Sequence, residues 1–113
     1  MPPPTPPQAP PWPDPFLTPV LGTVFAERAS VVQRLHVGDH LILVPDAPDT
    51  EDPNVWVHAP GGDLVGHLPV ETGARLARWM IAGGRAGATV DKVGGEDVAS
   101  WRRLIVRVEC HAD

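Results

Sequence analysis

Asp52-Pro53-Asn54-Val55-Trp56-Val57-His58-Ala59-Pro60-Gly61-Gly62-Asp63-Leu64-Val65-Gly66-His67-Leu68-Pro69-Val70 is the stretch from which the rest of the chain can be placed. Asn54 to Ala59 alternates, with Val55, Val57 and Ala59 on one side and Asn54, Trp56 and His58 on the other. A period of two is the mark of a half-buried strand. Pro60-Gly61-Gly62-Asp63 reads as a tight turn, because glycine tolerates the positive φ angles that short hairpins need. Leu64 to Leu68 returns as the partner strand. Pro69 then opens a helix, where its missing N–H costs nothing.

Outward from this hairpin, the pattern is short strands. Val20 to Phe25 reads as a first strand, with Val20, Gly22 and Val24 on one face. Val31 to Leu35 fits a short strand or a helical turn equally well. His36-Val37-Gly38-Asp39 is a turn, and His40 to Pro45 a strand apolar enough to be buried on both faces. Past Pro69 the period becomes 3.6: Val70, Gly73, Ala74, Leu76, Ala77, Met80 and Ile81 share an arc, and Glu71, Thr72, Arg75, Arg78 and Trp79 share the other. Gly83-Gly84 stops the helix. Ala86 to Val93 is a weak strand, Gly94 to Asp97 a turn, and Trp101 to Cys110 a last strand with Leu104, Val106, Val108 and Cys110 facing inward. Trp56 and Trp101 are expected in the core. Five or six short strands with one or two helices predict a mostly β protein, a small OB-like β-barrel plugged by a helix.

Composition divides the chain in two. Ten of the fifteen prolines lie in residues 1–19, which predicts a disordered, polyproline-like tail that a partner groove could bind. Residues 20–113 are then the barrel domain. The formal charge is −5; with only Asp14 in the tail, the domain has 13 acids against 9 bases, or −4. That balance argues against bulk, non-specific affinity for nucleic acid while leaving room for a local site. No segment reads as a secretory leader or a membrane helix, so no membrane partner is expected. Cys110 is the single cysteine, so there is no disulfide framework, and a reducing, cytoplasmic setting is expected.

Together, Gly22, then Gly38-Asp39-His40-Leu41, then Asp52-Pro53-Asn54-Val55, then Val65-Gly66-His67-Leu68-Pro69 ahead of a helix beginning Val70-Glu71 resemble the HIRAN domain, over roughly residues 18–108. That module occurs at the N-terminus of helicase-like DNA-repair ATPases and alone in bacterial proteins. The resemblance implies an OB-like barrel without catalytic groups that captures the 3′-hydroxyl end of single-stranded DNA in DNA repair or processing. It places a base-stacking aromatic at Phe25, an acid accepting from the terminal hydroxyl at Asp52, within the Asp52-Pro53-Asn54 segment, and a backbone-contacting histidine at His67. It also marks departures: Val24 and Val70 stand where the family has cations, and Glu51 where it has a tyrosine. Each lost phosphate contact weakens binding and flattens its salt dependence.

Each residue also has a plainer reading. Asp52 would serve equally to satisfy the N–H groups of its own turn. His67 would serve as a structural histidine at the strand-to-helix corner, and Phe25 as part of the core. Arg75, Arg78 and Trp79 on the helix, with Arg103 and Arg107 on the last strand, would line a basic, aromatic groove or an ordinary solvated face. The acids Asp46, Asp49, Glu51 and Asp52 lack the spacing of a calcium loop. Cys110 and His111 form no zinc pattern, and no other cofactor motif presents itself. With no nucleophile–base pair, phosphate loop or carboxylate pair, the chain is not expected to be an enzyme. A monomeric nucleic-acid-binding module is the expected function, and a protein-interaction barrel that has lost DNA binding is the alternative.

Overall fold

The computed structural model describes residues 14–25, 27–95 and 97–112. Along these the elements are β1 (Phe16–Pro19), α1 (Arg28–Gln33), β2 (His40–Pro45), β3 (Val55–His58), β4 (Leu64–His67), α2 (Val70–Ile81), β5 (Gly84–Val93), a 3-10 turn (Ser100–Arg102) and β6 (Leu104–Ala112). The protein is mostly β. All six strands join one antiparallel sheet in the order β1-β6-β5-β2-β3-β4. The ten-residue β5 pairs with β6 along its length and with β2 over His40–Ile42. Register shifts at Val57/His58 and Val90/Lys92 add the local bending that a curled sheet needs.

The sheet curls until its two edges meet. Beyond β1 the chain continues along β6, where the Val20 N–H donates to the Leu104 carbonyl (2.9 Å). It then crosses to β4. The Leu21 N–H donates to the His67 carbonyl (2.8 Å), and the His67 N–H donates back to the Leu21 carbonyl (3.0 Å). This one bridge gives the half-barrel its OB-like form. Val20, Leu41, Leu43, Val55, Val57, Val65, Val90, Leu104, Val106 and Val108 point inward and are buried. α2 packs on β2, β3 and β5, and α1 on β4, where Val31 and Val32 join the core.

Several sequence expectations change. The tail was expected to reach Pro19, but Phe16–Pro19 is the edge strand on β6. Its two ladder-breaking prolines, Pro15 and Pro19, fall just before it and at its end, where an edge strand tolerates them. The tail reading of residues 1–13 lies outside the described residues. The expected first strand, Val20–Phe25, is instead a short bridge followed by a turn, because Gly22 takes φ +71° and swings the chain away from the sheet. Of Val31–Leu35, Val31–Gln33 form the end of α1, Arg34 is its C-cap and Leu35 lies just beyond. β2 is not buried on both faces; Leu41 and Leu43 are inside while Ile42 and Val44 are exposed. The weak Ala86–Val93 strand is the longest in the sheet, its propensity overridden by pairing on both sides. Trp101 lies outside β6 and outside the core.

The helix was assigned the right residues and a rotated face. Pro69 holds an extended cap position, and Val70 begins the helix. The buried residues are Gly73, Leu76, Ala77 and Trp79, while Val70 is 75% exposed and Ile81 is exposed. Trp79 lies only about 60° from Leu76 around the helix, and Gly84 gives its ring a seat: a Cβ there would collide with the indole. Gly83 at φ +113° stops the helix, its N–H donating to the Met80 carbonyl (3.0 Å).

Gly66 is where the closure is tightest. A Cβ at Gly66 would run into the Leu21 carbonyl and come within 2.8 Å of Val20 Cγ1. Gly66→Ala is expected to lower stability by about 1–3 kcal/mol through overpacking, read as a lower urea midpoint. Gly87 sits in open space on β5, with nothing within 4 Å of a Cβ. Gly87→Ala is therefore expected to leave the midpoint unchanged within about 0.5 kcal/mol or to raise it. Equal midpoints for the two variants would show that the closure contributes no constraint.

Candidate nucleic-acid interface

The corner where the sheet closes gathers the side chains of interest. After Gly22 the chain makes a turn through Thr23–Phe25 and enters α1, which starts at Arg28. Arg28 staples this turn twice. Its N–H donates to the Phe25 carbonyl (3.0 Å), and its Nη1 donates to the Gly22 carbonyl (3.1 Å). The guanidinium carbon stands 5.8 Å from the Phe25 ring centroid, a cation–π distance. Phe25 is nonetheless 62% exposed, so the ring presents area to solvent while the arginine supports it.

His67 reaches the same corner from β4. Its Nδ1 lies 3.0 Å from the Leu68 carbonyl, which can only accept, so in this contact the hydrogen sits on Nδ1 and leaves Nε2 as the ring's other polar atom. A Cβ at Gly22 would lie 3.1 Å from His67 Nε2 and 3.2 Å from Arg28 Nη1. The bare backbone of Gly22 thus lets the imidazole and the guanidinium approach from two sides. Behind His67, the Trp56 ring meets the imidazole edge-on, with centroids 5.6 Å apart and planes at 70°. Trp56, expected in the core, is only half-buried, and its indole N–H donates to Asp46 Oδ1 (2.8 Å).

Asp46 and Asn54 form the frame beneath. Asp46 Oδ2 accepts from the Asn54 N–H (2.9 Å), so one carboxylate ties the end of β2 to the start of β3 and to Trp56. Asn54 Nδ2 donates to the Leu68 carbonyl (3.1 Å), and Oδ1 accepts from the Val55 N–H (2.7 Å). That amide sits against the bare backbone of Gly73 on α2, where a Cβ would collide with Oδ1. Asn54 is therefore a brace between hairpin and helix, with its polar atoms engaged. Asp52 lies exposed at the bend before the buried Pro53, and among the described residues none hydrogen-bonds its carboxylate. The turn-satisfying role imagined for Asp52 is carried out by Asp46. In the sequence Asp46 is one of four acids without calcium-loop spacing, and its only distinguishing signal is its place at the strand's end, one residue past Pro45.

The proposed helix–strand groove does not assemble as expected. Trp79 is 6% exposed and offers no face to a base. Arg103 Nε donates to the Val98 carbonyl (3.0 Å), and Arg107 pairs with Glu109 (3.4 Å). Arg75 stands on the exposed side of α2. Val24 and Glu51, like Val70, are exposed. Arg28 was missed altogether, since nothing in its spacing from Phe25 shows that Gly22 turns the chain back on it. Among the described residues no three of His, Cys, Asp and Glu cluster to hold a metal, and no helix is long and apolar enough to cross a membrane.

Two outcomes follow from this frame. Asp46→Ala removes the acceptor of two hydrogen bonds and leaves a half-buried indole N–H and a backbone N–H without it. The expected loss is about 1–3 kcal/mol, with a change in tryptophan emission; a wild-type urea midpoint would show that Asp46 braces nothing. Burial pushes the Cys110 thiol up to about 11. Thiolate absorbance should accordingly titrate near about 11 in the folded protein and fall back toward the ordinary thiol range in urea; a folded midpoint near that ordinary range would contradict the burial.

Comparison with family models, with curated proteins and with solved structures finds no match to this chain.

Proposed function

We propose that this chain is a non-catalytic module that binds single-stranded nucleic acid, DNA ends in particular, in the manner of the HIRAN domains it resembles, in support of DNA repair or processing. The observation that carries the reading is the exposed Phe25 ring, backed by Arg28, whose guanidinium shares the space at Gly22 with His67. A base stacks on the open face of Phe25. The phosphate next to it lies toward the Arg28 guanidinium, which retains donors beyond the one given to Gly22. As the resemblance implies, His67 would meet the nucleic-acid backbone and the exposed Asp52 carboxylate would accept from the terminal hydroxyl. Arg28 supplies the cation that the resemblance would place at Val24. The acids Glu27 and Asp63 lie near Arg28, in the groove between α1 and the β3–β4 turn. They work against non-specific attraction, so contact is confined to the corner.

A second reading, a protein-interaction barrel without DNA binding, is favoured by the outward-facing, exposed Ile42 and Val44 on β2 and by the acidic balance of the chain.

Fluorescence anisotropy at low salt, with short strands ending in a 3′-hydroxyl or a 3′-phosphate, separates the two. Tighter binding of the hydroxyl end is expected. Phe25→Ala should weaken it about 5- to 150-fold, the range for one lost stacking contact. Arg28→Gln should lower the slope of log affinity against log salt by about 0.7. Equal binding of the two ends would sink the end-binding reading, and absent binding would sink it and favour the second.

A further inference from the structure

Trp101 was expected in the core on the last strand. It stands instead in the 3-10 turn Ser100–Arg102 and is 58% exposed. Core positions at this end of β6 are filled by Leu104 and Val106, both fully buried, so the indole has no seat inside. The loop that presents it is tied down. The Gly94 N–H donates to the Arg103 carbonyl (2.7 Å), Arg103 Nε donates to the Val98 carbonyl (3.0 Å), and the Val98 N–H donates to the Gly95 carbonyl (3.1 Å). An exposed tryptophan on a braced loop is a pre-organised surface, and pre-organisation lowers the ordering cost of binding.

Two further features give that surface a chemistry. The Arg102 guanidinium carbon stands 5.5 Å from the Trp101 ring centroid. A groove runs alongside, lined among the described residues by Lys92, Asp97, Val98, Ala99, Arg102 and Ile105, two cations and one acid. In a chain of net charge −5, two cations beside an exposed indole depart from the average surface. Phe25 and Trp101 are the two exposed Phe or Trp rings among the described residues, and each has an arginine over it. The loop bearing Trp101 also packs against the segment bearing Phe25: Thr23, Ala29 and Val32 share a small cavity with Gly94, Gly95 and Arg103.

We propose that Trp101, Arg102 and Lys92 form a second stacking platform, on which another base of the same single strand lies while its flanking phosphates meet Arg102 and Lys92. This rests on the reading of Phe25 as a base platform and extends the path of the strand beyond the closure corner. Stacking tolerates any base, so the platform adds affinity and length without adding sequence preference.

Anisotropy with the full chain and labelled oligothymidine of about twelve nucleotides, within the span an OB-like fold covers, tests it. Trp101→Ala should weaken binding about 5- to 150-fold, and the double variant Lys92→Gln/Arg102→Gln should lower the salt slope by about 1.4, twice the single-strand increment. Wild-type affinity in Trp101→Ala, with Phe25→Ala weakened, would overturn the platform and leave the Phe25 reading standing. A lowered salt slope with no effect of Trp101→Ala would also overturn it, marking a purely electrostatic patch of the kind an acidic peptide would use. No binding by the wild-type chain would remove both readings. If Trp101→Ala does not fold, Trp101→Phe replaces it, keeping the turn filled with a ring: a smaller loss of affinity, together with the slope change in the double variant, supports the platform, and wild-type values in both overturn it.

Discussion

Two hydrogen bonds between the backbones of Leu21 and His67 hold the first and last strands of the sheet order together. Without them the sheet would be an open curl with a free edge at β4, and free edges invite unwanted pairing. The bridge needs two bare backbones. Gly66 lets Leu21 come close, and Gly22 turns the chain away immediately afterwards while leaving room for the His67 ring. The corner that gathers Phe25, Arg28 and His67 follows from that arrangement. The turn that leaves the bridge carries Phe25 and Arg28 outward, and the strand that receives it carries His67 to the same place.

The corner is kept in position by groups that lie behind it. Asp46 holds Trp56 and the start of β3, Trp56 meets the His67 ring, and Asn54 links the hairpin to Leu68 and α2 through the gap at Gly73. A site on loops is only as well defined as the shell that supports it. Here that shell is made of short, satisfied hydrogen bonds between elements that are far apart in the chain. The acidic balance of the domain has a matching effect. With 13 acids against 9 bases, long-range attraction to a polyanion is weak, and any such binding would have to rest on short-range contacts.

The hairpin, the helix after it and the inward valines were legible because they are local: alternation, a Gly-Gly turn and a change of period are written in consecutive residues. The sheet order and the bridge were not, since Leu21 and His67 are paired by curvature and not by any pattern between them. The same limit governs the site. Asp46 looked like one of four loop acids until the fold brought Trp56 and Asn54 to it. Trp79 looked solvent-facing because Arg75 and Arg78 flank it, yet Gly84, from the next strand, opened a seat for its ring. Trp101 showed the converse, a large apolar residue left outside because Leu104 and Val106 already filled the interior.

The pairing of Phe16 with Val108 across β1 and β6 puts the place where the chain enters the fold beside the place where it leaves. β1 and β6 are therefore neighbours at one edge of the sheet order, and the Leu21–His67 closure joins that edge to the other.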